Sequence, residues 1–190
     1  MRPETCNLQP VTSKGITLIE LVMVIVLVGI LAAVTIPRFG SFYFLKFTAA
    51  MKKTASDIRY VQQLAVSRHN DTRIEFNATG NSYQCCYCNE ADGSCATGSC
   101  GSLNWPWITD PFTRGNLQVN FNSDPKYGGI DILPTVNFGG TSTLRFNWQG
   151  TPQNANGINL SGSDGTANFS YKGNTNTISV TPNTGRVKMQ

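Results

Sequence analysis

Three hydrophobic patterns follow one another along the 190-residue chain. From Ile16 to Ile36 the side chains are apolar on every face, interrupted by a single charge at Glu20. From Pro37 to about His69 the apolar positions thin to one stripe. Phe39, Phe42, Phe47, Ala50, Met51, Thr54, Ile58, Val61 and Ala65 recur at spacings of three to five, while Lys52, Lys53, Arg59 and Gln62 fall largely off it. That spacing is the signature of an amphipathic helix. Pro37 would remove one hydrogen bond and kink or open the helix locally. Ser67 to Asp71 reads as a stop. The two stretches together predict helix from 16 to 69, about 80 Å long at 1.5 Å per residue.

After Asp71 the period changes to two. Alternation predicts strands at 73–76, 82–87, 117–121, 130–133, 144–148, 167–171, 177–181 and 186–189. Leu117, Val119 and Phe121 alternate cleanly, as do Leu144, Phe146 and Trp148. Turn-prone runs at Gly173–Asn176 and Pro182–Gly185 separate the last three strands, which read as a meander. The expected fold class is therefore α+β. A long N-terminal helix would lay its second half on an antiparallel sheet or small sandwich. A chain of this length supports one such domain with a real core. The expected division is 1–15 leader, 16–36 apolar helix, 37–72 amphipathic helix and 73–190 β-rich head.

Charge sharpens this division. The formal net charge is +4, but residues 37–73 hold seven basic residues against two acidic ones, and residues 74–190 hold six against seven. The basic character belongs to the stretch beside the apolar segment, where an anionic lipid surface accounts for it at least as well as nucleic acid. The 21 apolar residues would rise about 30 Å, enough to span a bilayer core. Arg2 and Lys14 flank that segment on one side, which places the N-terminus in the cytoplasm. Secretory signals are cut after their apolar region. Here the plausible cut, between Gly15 and Ile16, precedes it, so the apolar helix would stay in the mature protein. Glu20 then carries the argument. A carboxylate inside a span costs about 2.5 kcal/mol or more and is a functional-site hypothesis by default. An amine freed at Ile16 could neutralise the Glu20 of a neighbouring copy. The plainer alternative is a signal-anchor helix whose one charge snorkels outward.

The string KGITLIELVMVIVLVGILAAVTIPRF resembles the type IV prepilin motif shared by pilins and type II secretion pseudopilins. The resemblance implies cleavage after Gly15 by a prepilin peptidase and N-methylation of Ile16. It also implies an assembly role for Glu20, and a helix loosened at Gly29 and Pro37. Ile16 stands where the family usually has Phe. A leader of 15 residues is longer than in many pilins and fits the minor or pseudopilin types. The stretch from Lys46 to Phe76, with its RYVQQLA segment, and the closing ISVTPNTGRVKM are similar to the H-type minor pseudopilins and FimT-like minor pilins. Pro37-Arg38-Phe39 is similar to mannose-sensitive haemagglutinin-type pilins. Such subunits sit in the bacterial inner membrane with a periplasmic head. Their partners are other pilin or pseudopilin subunits.

The head holds five cysteines, Cys85, Cys86, Cys88, Cys95 and Cys100, with Cys6 in the expected leader. In an oxidising envelope these read as disulfides stapling the loop 88–104, with one thiol left over. The rival is a metal site built from Cys85, Cys88, Cys95 and Cys100, but its spacing fits no strong signature. No metal or other cofactor is therefore expected. Trp105, Trp107 and Phe112 are expected to roof a small core, the alternative being an exposed contact surface. No nucleophile motif, phosphate loop or carboxylate pair stands out, and His69, the one histidine, lies at the helix end. The chain does not read as an enzyme. Oxygen-bearing residues at 89–93 read as a solvated turn rather than a calcium loop. Some FimT-like pilins take up DNA through a basic C-terminal motif, to which Gly185-Arg186-Val187-Lys188 is similar. Two cations give little affinity for DNA on their own.

Overall fold

Thr17 starts the first helix. Its hydroxyl accepts the Glu20 amide at 3.3 Å and its carbonyl accepts the amides of Glu20 and Leu21. It is thus the N-cap that satisfies amides with no partner inside the helix. In the computed structural model the described residues are 15–35, 40–90, 95 and 98–190, without the side chains of 34, 35, 40 and 41. The chain divides into two units, 1–42 and 43–190. The first unit holds α1, Leu18–Thr35. All of its described side chains are exposed, Leu18 at 82% and Ile25 at 58% among them. Among the described residues no helix is long and apolar enough to cross a membrane. The 18 residues of α1 rise about 27 Å, just short of a bilayer core. The single helix expected from 16 to 69 is thus described as two, with Pro37 and Phe39 outside the described residues.

The second helix, α2 (Gly40–Arg68), supplies the head with one buried stripe: Phe47, Ala50, Met51, Ile58, Val61 and Ala65. Thr54, Ala55 and Asp57 are buried alongside it. Phe42, expected on the stripe, is exposed, so the buried stripe begins at Phe47. His69 ends the helix in a left-handed conformation (φ 54°), and the Asn70 amide reaches back to the Ala65 carbonyl at 3.3 Å. This closure satisfies a terminal carbonyl of the helix.

Among the described residues nine strands follow: β1 Thr72–Asn77, β2 Ser82–Tyr87, β3 Gln118–Asn120, β4 Asp131–Ile132, β5 Thr143–Phe146, β6 Pro152–Gln153, β7 Gly165–Tyr171, β8 Asn174–Val180 and β9 Val187–Met189. They form two antiparallel sheets, in the orders β3-β2-β1-β5-β6 and β4-β7-β8-β9. Each of the eight expected strands has a counterpart, and β6 was not anticipated. Both sheets direct alternate side chains into one core with the α2 stripe, for example Ile74, Phe76, Leu144, Phe146, Phe169 and Ile178. The turn between β7 and β8 is tighter than the expected four residues. Tyr171 pairs with Asn174, leaving only Lys172 (φ 47°) and Gly173 (φ 83°) between them. Two consecutive positive φ angles match the right-handed twist of the strands they join. The reading of 174–176 as turn gave way to the ladder.

Candidate functional site

Three of the residues expected to carry processing and assembly, Gly15, Ile16 and Glu20, lie around the start of α1. Gly15 and Ile16 precede α1, and Ile16 is 75% exposed. Glu20 stands in the first turn of α1, three residues after its N-cap. Thr17-x-x-Glu20 has the spacing of a capping box, a signal in the sequence that the charge-pairing argument passed over. An acid there also complements the positive end of the helix dipole. Gly29 lies inside α1, with no atom near where a Cβ would stand. Pro37 lies outside the described residues.

In the head the cysteines form two bridges, Cys86–Cys100 and Cys88–Cys95, and Cys85 is a buried free thiol. Period two explains the leftover. On β2, Cys85 points into the core with Tyr83, whereas Cys86 belongs to a separate buried cluster with Cys88, Cys95 and Trp105. Among the described residues one group has the types of a metal-binding set, Glu75 with Cys86 and Cys100, and its two sulfurs are bonded to each other. Trp105 is buried, Trp107 is half-buried, and Phe112 is 89% exposed. The last corrects the expectation of a roof. Asp110 closes the turn beneath Phe112, its Oδ1 accepting the amides of Phe112 and Thr113 at 2.8 and 3.4 Å, and so lifts the ring away from the core.

Two buried polar networks hold the head together, and neither has a periodic signal. In the first, Asp71 accepts from the Arg145 guanidinium, with Nε at 3.0 Å, and from the Trp148 amide at 3.1 Å. Arg145 and Arg73 both lie over the Trp105 ring, at 5.3 and 4.6 Å from its centre. Arg73 Nε lies 3.3 Å from Glu75 without hydrogen-bond alignment. Burial lowers the Arg73 pKa and the nearby Arg145 charge lowers it further, against the pull of Glu75. Attraction between a cation and a ring face strengthens when water is excluded. Trp105, held beside both disulfides, thus serves as the platform for two buried cations.

In the second network Lys53 donates to both oxygens of Asp57, at 2.6 and 2.8 Å, and the Tyr83 hydroxyl donates to the same carboxylate at 2.7 Å. Burial raises the Asp57 pKa above its ordinary 3.8, and Lys53 and Tyr83 only partly oppose it. Burial, then the nearby Asp57 charge, pushes the Tyr83 hydroxyl and the Cys85 thiol well up. A thiol held protonated is a poor nucleophile.

At the C-terminus Gly185 adopts φ 65° where any Cβ would strike the Gln62 side chain. The Gln62 amide bridges two turns by donating to the carbonyls of Gly150 and Thr184 at 2.9 and 3.1 Å. Gly185 is therefore explained by packing. Arg186 is exposed, and Lys188 lies 3.7 Å from Asp164. His69 stacks on Trp148, ring centres 6.2 Å apart.

No family model matches the sequence, and no curated protein matches it. Solved structures do. Two crystal structures of the type IV minor pilin FimU of Pseudomonas aeruginosa align with TM-scores of 0.46 and 0.47, each at 14% identity. They cover 75% of this chain, and 91% and 87% of their own. The minor pseudopilin EpsH from the type 2 secretion system of Vibrio cholerae aligns at TM-score 0.50 and 11% identity, over 75% of this chain and 94% of its own. The chain carries the α+β pilin fold of EpsH.

Proposed function

We propose that the protein is a non-enzymatic structural subunit, a minor pilin or pseudopilin, of a type IV pilus or type II secretion pseudopilus. The observation that carries this reading is α1: an apolar helix with every described side chain exposed, joined to a head that buries its own core completely. Such a helix is stable only in lipid or against other helices. In the precursor, residues 16–36 cross the inner membrane and the head lies in the periplasm. A prepilin peptidase cuts after Gly15, Ile16 becomes the methylated N-terminus, and the helices then pack together as the core of the filament. Thr17 caps the helix, and Glu20 in its first turn meets the Ile16 amine of a neighbouring subunit. Gly29 and Pro37 supply local freedom for that packing. The DNA-binding alternative is weakened by the ion pair of Lys188 with Asp164, which leaves Arg186 as the freer of two cations. An adhesin-pilus role differs from secretion only in the partner subunits.

Co-expression with a prepilin peptidase tests the reading. Gly15→Ala should leave a precursor heavier by the 15-residue leader in intact-mass spectra. Glu20→Ala should insert and be cleaved, yet fail to enter filaments sheared from cells. Normal incorporation of the Glu20→Ala subunit would overturn the pairing mechanism, and an uncut wild-type chain would overturn the processing.

A further inference from the structure

At the end of the head where α2 enters it, three lysines and three tyrosines converge. Lys172 Nζ sits 3.7 Å over the Tyr43 ring, and Tyr43 packs on Tyr171 with ring centres 6.2 Å apart. Lys46 Nζ lies 5.6 Å from the Tyr171 ring and donates to the Gly128 carbonyl at 2.7 Å. Lys126 and Tyr127 belong to the same turn as Gly128. Lys126 and Lys172 are exposed, as are Phe44 and Leu45 on the first turns of α2 within the head.

We propose that this collar is a docking surface for an anionic lipid bilayer. Charge complementarity selects the occupant. The ion pairs of the head's described residues involve Lys53, Arg73, Arg145 and Lys188, and none involves Lys46, Lys126 or Lys172. The two acids of the neighbouring segments are turned to other partners. Asp124 Oδ1 accepts the amides of Lys126 and Tyr127, at 2.7 and 3.1 Å, and Asp131 accepts from the Asn81 side chain at 2.9 Å. Of the belt's three rings Tyr43 is the exposed one, at 48%, with Tyr171 buried and Tyr127 packed on the core; a tyrosine suits a membrane interface because its ring is apolar and its hydroxyl wet. Lysine keeps its ammonium among headgroups while its stem lies along apolar surface. Phe44 and Leu45 add apolar side chains beside that belt. A second copy would bring like charge against like charge. A nucleic acid would leave Phe44 and Leu45 without an apolar partner. The collar also opens the head in sequence, so it is the part that follows α1 most closely along the chain.

This inference rests on the reading that α1 lies in the membrane, and the test separates the two. The full chain is reconstituted in nanodiscs of phosphatidylcholine alone or of an equal mixture with phosphatidylglycerol, and amide hydrogen exchange is followed by mass spectrometry. Segments 124–129 and 171–174 should exchange about fivefold more slowly in the anionic discs for each lysine that reaches the surface. The protection should fade in high salt. It should disappear in Lys126→Gln/Lys172→Gln, two exposed positions, and persist in Lys126→Arg/Lys172→Arg. Equal exchange in both disc types with α1 protected would overturn the collar and leave the anchor standing. An unprotected α1 would overturn the anchor, and with it this inference. Equal protection by single-stranded DNA added to the neutral discs would assign the lysines to a nucleic acid and overturn the lipid surface.

Discussion

The two helices are written in the same apolar alphabet but differ in where their partners are. On α1 the apolar side chains point in every direction and all the described ones are exposed. On α2 they are confined to one stripe, and that stripe is buried in the head's own core. A helix that buries a single face can be stabilised within its own subunit, whereas one that is apolar all round needs lipid or other helices. The density of apolar residues therefore says little about self-sufficiency, and their angular spread says a great deal.

Paired substitutions in the full chain in detergent would sharpen this contrast most. Ile58→Ala, at a fully buried position of α2, should lower the unfolding free energy of the head by about 4 kcal/mol. Leu27→Ala, on the exposed surface of α1, should leave that value unchanged. A loss of head stability in the Leu27 variant would show that the units are not independent. Next in size is reduction of the disulfides. Bridges closing 14 and 7 residues should each contribute about 2–3 kcal/mol, so the melting point of the head should fall in dithiothreitol while the helicity of α1 stays constant.

The smallest effect concerns pH. The folded-state pKa of Asp57 is raised, so the native head holds that proton more tightly than the unfolded chain does. The stabilisation is fully present below the unfolded value near 3.8 and is lost as pH rises through the folded value. Asp57→Asn should flatten that decline in urea titrations taken at successive pH values. An unchanged slope would show that another group sets it.

The elements themselves were legible because each has a period. Strand β7 alternates cleanly into the core, and most of the α2 stripe could be read residue by residue. What escaped lacks a local signature. β6 is two residues long and exists because it pairs with β5. The division into two sheets follows from β1 lying between β2 and β5, a pairing across about 70 residues that no window along the chain reveals. Arg73 and Arg145 occupy alternating positions that read as solvent-facing, yet a disulfide-bound loop covers them and Trp105 receives both. At the candidate site, Gly15 and Glu20 were conspicuous in the sequence. The capping role of Thr17 was equally available in the Thr-x-x-Glu spacing and was hidden by the argument about charge.

Adjacent cysteines on β2 have a consequence for how the head acquires its bridges. Five thiols permit roughly fifteen two-bridge arrangements. Once β2 pairs with β1, its pleat sends Cys85 to one face and Cys86 to the other, and core packing then removes Cys85 from any oxidant. Strand pairing acts in this way as a proofreader for oxidation. A chain whose sheet forms before its thiols react meets a much smaller choice of partners, with its one surplus thiol already out of reach.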